Sequence, residues 1–461
     1  MKIDYNKFLG SKKLLYSGSG FKVELSELNS KLFDWQKILV RWALKRGCAA
    51  LFEDCGLGKT IQQLEWAVHV VKKTGKPVII LAPLAVAEQT KAEGEKFGIQ
   101  SRIVRDKNDV KKGINITNYE KLHKFDSSVF GGVVLDESSI IKSFSGYYRN
   151  EIILSFKNCP YRLACTATPS PNDYMELGNH SEFLGIMSRT EMLSMFFIND
   201  SGKSGKWRLK GHVKENVFWE WLSSWAVMLS KPSDLEFDDN GFVLPEITYH
   251  EHFVSSVDKR KGFGLIVEYA KDLNERRNVR KETITSRVKM AADFINSTSD
   301  RWVVWCNLNE EGNLLEKTID DSVQVAGRHE EEKKLRRMFD FAQGKISRIV
   351  TKPKIAGHGM NWQICSRVAF VGLSDSWEDF YQAVRRVWRF GQNTSVEVHI
   401  FLEEREGSVL NNIKRKNDNA KLMMENMIRH TQELTKINIK GEMKGGSDYF
   451  AFTNMRLPKW L

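Results

Sequence analysis

The chain of 461 residues is poor in cysteine: it has six, Cys48, Cys55, Cys159, Cys165, Cys306 and Cys365, and no two of them form a C-x-x-C pair. Scattered single cysteines beside apolar runs fit small core residues in a reducing cytosol. A disulfide scaffold and a cysteine-ligated zinc site are therefore not expected. Long apolar runs are also missing, since no stretch reaches the roughly 18 apolar residues that a membrane-spanning helix needs. The opening MKIDYNKFLGSKKLL holds no apolar core long enough for a secretory leader, so a cytoplasmic protein is expected. No segment repeats at a fixed period. Acidic charge is in deficit: 58 Asp and Glu against 70 Lys and Arg leave a formal charge of +12. Such an excess favours a polyanionic partner such as nucleic acid, although a merely solvated basic surface has the same composition. With 41% hydrophobic and 28% charged residues, the chain is an ordinary soluble one with room for roughly two to four domains.

What the chain does have is concentrated in residues 51–62, LFEDCGLGKTIQ. A short apolar run ends in a glycine-rich turn, and Lys59-Thr60 opens an apolar-periodic segment. The order is strand, loop, helix. Gly56 and Gly58, with Leu57 between them, let backbone N–H groups approach phosphate oxygens without a side chain in the way. Lys59 offers a point charge to the β and γ phosphates of a nucleotide, and Thr60 a hydroxyl to Mg²⁺. The full pattern asks for glycine where Glu53 stands, so the match is incomplete, and a glycine-rich turn with a solvated lysine is the alternative. Upstream, LFDWQKILVRWALKRG predicts an amphipathic helix stopped by Gly47. Gln36, at its start, either reads an adenine edge through its amide or is a plain surface glutamine.

Short β-branched runs then alternate with helical stretches: VIILAP at 78–83, SRIV at 101–104, INITNYEKL at 114–122, GGVVLDESS at 131–139 and YRLACTATPSP at 161–171. This alternation predicts an α/β fold, a doubly wound parallel sheet whose ligand sits at the carboxyl ends of the strands. From residue 185 the pattern turns rich in tryptophan (Trp207, Trp219, Trp221, Trp225), glycine and lysine. That stretch predicts a helical insertion, its aromatics either packed core or a base-stacking platform. Residues 257–287 predict a charged, solvated helix leading onward. Alternation resumes with RWVVWCN at 301–307, SVQVAG at 322–327, SRIVTK at 347–352, RVAFVG at 367–372 and SVEVHIFL at 395–402. This is a second parallel lobe without a phosphate loop of its own. The expected division is an N-terminal segment 1–30, a nucleotide-binding lobe 31–184, a helical insertion and linker 185–280, a second lobe 281–405 and a helical tail 406–461.

Asp136 and Glu137 fall directly after the apolar run Val133, Val134, Leu135, where a parallel sheet puts its chemistry. Downstream of a phosphate loop, Asp136 would hold Mg²⁺ and Glu137 would orient and deprotonate an attacking water. In the second lobe, Arg385, Arg386 and Arg389 share one expected helix, with Arg386 and Arg389 three apart and so on one face. A guanidinium brought across a cleft stabilises charge on a transferring phosphoryl group and is worth ~10³ or more in rate. The alternative is a basic helix face that touches nucleic acid or solvent.

Taken together, GLGKT, LAP, ITNYE, DESS, TATP, GHGMNWQ and QAVRRVWRFGQ, in that order, resemble the superfamily 2 helicases and translocases, and within them the Snf-type branch. The resemblance spans roughly residues 30–405 and implies two RecA-like lobes in tandem, with ATP and Mg²⁺ as cofactors. It implies that Gln36 recognises adenine, that residues 56–60 (Gly56, Leu57, Gly58, Lys59, Thr60) hold the phosphates, and that Thr60 and Asp136 hold the metal. Glu137, Gln382, Arg386 and Arg389 would be catalytic, while Thr166 and Thr168 couple the nucleotide to the bound strand. Pro83, Asn118, Gly359, Met360 and Asn361 would face the nucleic-acid backbone. Ser138-Ser139 depart from the family, which usually has Ala or Gly and then His there. The compact build is similar to bacterial and phage members.

The expected function is an ATP-dependent translocase on double-stranded DNA, driven by opening and closing of the two lobes, with a protein partner conceivable at the C-terminal helices. Two rivals stand beside it: a strand-separating DNA or RNA helicase, whose only candidate wedge is the Trp-rich stretch, and an ATP-switched DNA clamp or loading factor.

Overall fold

The computed structural model describes residues 16, 18–83, 86–143, 146–199, 207–211, 217–254, 281–357 and 360–440. Gly359 and most of the 257–287 segment lie outside them. The first lobe is built on β1 (Cys48–Glu53), β2 (Val78–Ala82), β3 (Ser101–Ile103), β4 (Ile114–Asn118), β5 (Gly132–Asp136) and β6 (Tyr161–Cys165). A small antiparallel pair, β7 (Phe197–Asn199) and β8 (Trp207–Leu209), follows, and then β9 (Ala226–Leu229). The sheet has seven strands in the order β3-β4-β2-β5-β6-β1-β9, with every pair parallel.

Parallel strands covered by helices on both faces must be apolar on both, which is why the runs read as continuous rather than alternating. Successive residues still point to opposite faces. Ala50, Phe52, Ile79, Leu81, Val133 and Leu135 enter one core, and Ala49, Leu51, Val78, Ile80, Val134 and Leu163 enter the other.

The second lobe uses β10 (Ile247–Val254), β11 (Trp302–Cys306), β12 (Ser322–Val325), β13 (Arg348–Thr351), β14 (Arg367–Val371) and β15 (Val396–Glu403). They form a parallel sheet of six strands in the order β10-β15-β14-β11-β13-β12. Again the two faces part: Val303 and Trp305 enter one core, Trp302 and Val304 the other. The fold is thus α/β, two RecA-like lobes in tandem.

The stretch 185–280, expected to be helical insertion and linker, differs from that expectation. β9 completes the first sheet by pairing with β1, and β10 opens the second by pairing with β15. Just before β9, Trp219, Trp221 and Trp225 are buried in the first lobe's core, packed in edge-on or tilted contacts against Phe52, Phe196 and Phe218. Packing, not base stacking, accounts for these rings. The tail is helical over Gly407–Lys440. Val409, Leu410 and Ile413 anchor its start in the second lobe, while Met427 enters the first lobe's core and His430 stacks on Trp219 at 4.9 Å. One helix therefore spans both lobes. Among the described residues no helix is long and apolar enough to cross a membrane.

Candidate nucleotide site and inter-lobe cleft

Adjacent strand ends build the site. β5, β6 and β1 are neighbours, so Asp136-Glu137, Thr166 and the 54–58 turn emerge side by side at the carboxyl edge of the first sheet. The turn needs its glycines: Gly56 has φ +93° and Gly58 has φ +78°. A Cβ on Gly58 would run into Gln36 Nε2, and one on Gly56 would lie 2.8 Å from the backbone nitrogen of Phe390 in the other lobe. Lys59 opens the Lys59–Thr74 helix, and its Nζ donates to the carbonyls of Glu53 (2.7 Å) and Asp54 (3.0 Å). Thr60 follows in the same first turn. Gln36 is buried rather than on the surface: its Nε2 donates to the Leu57 carbonyl at 2.9 Å, and its Oε1 accepts from Phe33 N at 3.1 Å. One amide N–H and one lone pair remain for a ligand.

Glu53, which stands where the motif asks for glycine, is fully buried. Burial pushes its carboxyl up to about 7, against the pull of Lys59 and a 2.8 Å hydrogen bond from Gln62 Nε2. Asp136 is likewise raised, chiefly by burial, while Gln63 Nε2 donates to its Oδ1 at 2.8 Å. Glu137 has a left-handed backbone, φ 59° and ψ 58°, uncommon for a residue with a Cβ. Its Oε1 accepts from Thr166 Oγ1 at 2.5 Å and from Ser139 Oγ at 3.2 Å, and Thr166 Oγ1 in turn accepts from Thr168 N at 3.0 Å. Ser138 Oγ lies 3.1 Å from Nε2 of His180, whose pKa burial lowers to about 4. A neutral histidine from the Leu177–Leu184 helix thus meets Ser138, the residue directly after the acidic pair.

From the second lobe, the Trp377–Val384 helix and the turn after it bring Gln382, Arg385, Arg386 and Arg389 to the same edge. Arg386 hydrogen-bonds to Gln382 Oε1 (2.9 Å) and the Met360 carbonyl (3.3 Å); Arg389 reaches that carbonyl at 3.4 Å. Burial lowers the pKa of both, that of Arg389 to about 10, and Arg386 feels the charges of Glu137 and Asp136. The side chain that touches the phosphate loop is a different one. Arg385 Nη2 sits 2.7 Å from the Cys55 carbonyl and 2.9 Å from Asp54 Oδ2, and Tyr381 donates its hydroxyl to Asp54 Oδ1 at 2.6 Å. Burial opposes the Arg385 charge, but Asp54 and Tyr381 more than offset it and raise its pKa.

Nothing local separates Arg385 from its neighbour Arg386, and no short motif marks Tyr381 or Asp54. Phe33, Phe242 and Phe390 were missed too. Phe242 packs against Phe33 at 5.3 Å and Phe390 at 4.7 Å, joining the two lobes beside Gln36.

The residues fit a nucleoside triphosphate with Mg²⁺. The loop's two glycines leave no room for a Cβ, and among the described residues Gln382 Nε2, Arg385 Nε and Arg389 Nε are buried N–H groups with no protein acceptor. Beside this site the lobes enclose a cleft of about 490 Å³ lined by Pro83, Tyr119, Glu137, Lys142, Lys334 and Lys354. Pro83 alone of the four described backbone-facing candidates lines it. Asn118 is buried and caps the Tyr119–Lys124 turn, Met360 is buried, and the buried amide oxygen of Asn361 has no partner among the described residues.

A glycine-rich loop and acidic pair on one parallel-sheet lobe, faced by arginines from a second, place the candidate site at the junction of two α/β lobes. Comparison with known families agrees. Residues 35–196 match the SNF2-related domain, and residues 286–391 match the helicase conserved C-terminal domain. The chain thus carries one region similar to an SNF2-related domain and a second similar to a helicase conserved C-terminal domain. Among solved structures, the Sulfolobus solfataricus SWI2/SNF2 ATPase core in complex with dsDNA is similar over 91% of this chain and 99% of its own, at 19% identity and a TM-score of 0.42. No curated protein matches the sequence significantly.

Proposed function

We propose that the protein is a nucleic-acid-stimulated ATPase that translocates along duplex DNA. The observation that carries the reading is the meeting of the two lobes at the phosphate loop. Asp136, Glu137, Lys59 and Thr166 come from one side, and Arg385, Arg386 and Arg389 from the other. ATP would be held by residues 56–60 and Gln36, and Mg²⁺ by Thr60 and Asp136; together they supply a phosphoryl group for transfer to water. Glu137 takes the proton of that water, and its carboxylate is aimed by Thr166. Arg386 and Arg389 stabilise negative charge on the equatorial oxygens, and Gln382 fixes Arg386 in place. Because Glu137 and Thr166 share a hydrogen bond, the acid's position is tied to the strand end that carries Thr168, the intended link to DNA.

Hydrolysis would weaken the contacts between loop and arginines, so the lobes part and re-close, advancing DNA held across the cleft. The +12 charge supports a polyanionic track, gripped through its phosphates and hence salt-sensitive. Duplex is favoured over single strands because three of the four Trp-rich-stretch rings are buried and unable to stack on bases. A bacterial or phage-infected cytoplasm as the place of action belongs to the same reading and stands on the sequence resemblance.

Substituting Glu137 by Gln tests the reading. A motor loses DNA movement, measured by displacement of a triplex strand, together with ATP turnover. Retention of all function with ATP binding alone would instead establish a switched clamp.

A further inference from the structure

Away from the nucleotide site, the edge of the second sheet carries a histidine cluster that the proposed motor does not use. Parallel strands β10 and β15 are paired with Thr248 opposite Glu397, His250 opposite His399 and His252 opposite Phe401. Alternate residues share a face, so all these side chains project from one side. His250, Glu397 and His399 each present a potential ligand atom within 4.8 Å of the others.

The surroundings are those of a built site. His399 Nε2 lies 3.3 Å from Glu397 Oε2, and its Nδ1 lies 3.0 Å from His252 Nε2. If His399 donates Nδ1–H to His252, its Nε2 lone pair faces Glu397, the tautomer that a ligating histidine needs. The same Glu397 oxygen accepts from Arg367 Nη1 at 2.5 Å, and Arg367 Nε is itself held by Asp300 Oδ2 at 2.8 Å. An apolar wall backs the group, with Phe294 at 4.7 Å from His399 and Phe401 stacked on His252 at 4.5 Å. His250 is exposed and opens the cluster to solvent, while His399 is buried.

We propose that His250, Glu397 and His399 form a binding site for a divalent transition-metal ion, Zn²⁺ being the best match. Two imidazoles and one carboxylate are a zinc donor set that leaves a fourth position for water, whereas Mg²⁺ and Ca²⁺ prefer all-oxygen shells. The ion would staple β10, the strand by which the chain enters the second lobe, to β15. Arg367 competes with the ion for the Glu397 charge while orienting the carboxylate, so moderate rather than extreme affinity is expected.

Co²⁺ is the probe, since its visible absorption reports coordination. The full-length protein, stripped with a chelator, is titrated with Co²⁺ beside His250→Ala, Glu397→Gln and His252→Phe variants. Expected are one Co²⁺ per chain with a visible band, no near-ultraviolet thiolate band, and displacement by Zn²⁺. His250→Ala, an exposed change that leaves the fold intact, should weaken binding at least tenfold, and loss of the outer partner in His252→Phe by roughly 10- to 100-fold. Zn²⁺ should raise the thermal midpoint of the parent but not of His250→Ala. Absence of a stoichiometric site, or equal binding by parent and His250→Ala, would overturn the proposal.

Discussion

Replacing Arg385 by alanine removes the side chain that fastens the second lobe to the phosphate loop. It gives up an ion pair to Asp54 at 2.9 Å and a hydrogen bond to the Cys55 carbonyl at 2.7 Å. The guanidinium also lies 4.9 Å from the Trp388 ring centre. Arg385 is only 3% exposed but the Asp54 side chain is 29% exposed, so solvent screens part of the pair. Hydrogen bonds to charged groups are worth about 1.5–3 kcal/mol net, and that range is taken for the whole contact. It corresponds to a roughly 10- to 100-fold shift of the lobe equilibrium towards open. The assay is energy transfer between dyes on an exposed position of each lobe, followed against a non-hydrolysable ATP analogue. Arg385→Ala should need correspondingly more analogue to close. Asp54→Ala should cost less in the Arg385→Ala background than alone, because both changes remove one contact. Unchanged closure in Arg385→Ala, or strict additivity of the two changes, would refute the reasoning.

Thr166→Val keeps the volume but deletes the 2.5 Å hydrogen bond to Glu137; ATP turnover should fall by about tenfold or more while nucleotide affinity, measured by calorimetry, holds. Glu53→Gln tests the buried carboxyl at the end of β1. Its folded pKa, about 7, lies above the ordinary 4.5, so native Glu53 keeps its proton where the unfolded chain has lost it, and stability falls as pH rises between those values. That slope, about 3 kcal/mol in all, should be missing from the variant's chemical denaturation curves between pH 5 and 7.5. Trp221→Ala empties a fully buried site among Phe196, Phe218 and Trp225 and should cost about 3–5 kcal/mol, seen as a lower thermal midpoint.

Both sheets were legible wherever a strand is buried on both faces, because such strands are apolar at every position: VIILA, GVVLD and WVVWC announce themselves. β10 was not legible. As an edge strand, ITYHEHFV exposes His250 and Glu251 and mixes polar with apolar residues, so no apolar run marks it. β9 was hidden by the tryptophans just before it, which drew the whole stretch into one compositional block. In the site, residues joined by one short motif could be picked out, as with residues 56–60 or Asp136-Glu137. Contacts between distant segments could not. Nothing local says that Arg385 rather than Arg386 meets Asp54, a residue in the other lobe, or that His180 lies against Ser138. The histidine cluster is invisible for the same reason, since sheet order alone brings His250 beside His399.

The most direct test of the central claim is steady-state ATP hydrolysis without nucleic acid and with duplex DNA, single-stranded DNA or RNA, each repeated with Lys59→Ala. A large stimulation by duplex DNA, absent with the other polymers and abolished in Lys59→Ala, is the predicted result. Stimulation confined to single strands or RNA, or no stimulation in protein that still binds DNA in the presence of ATP, would contradict a duplex translocase.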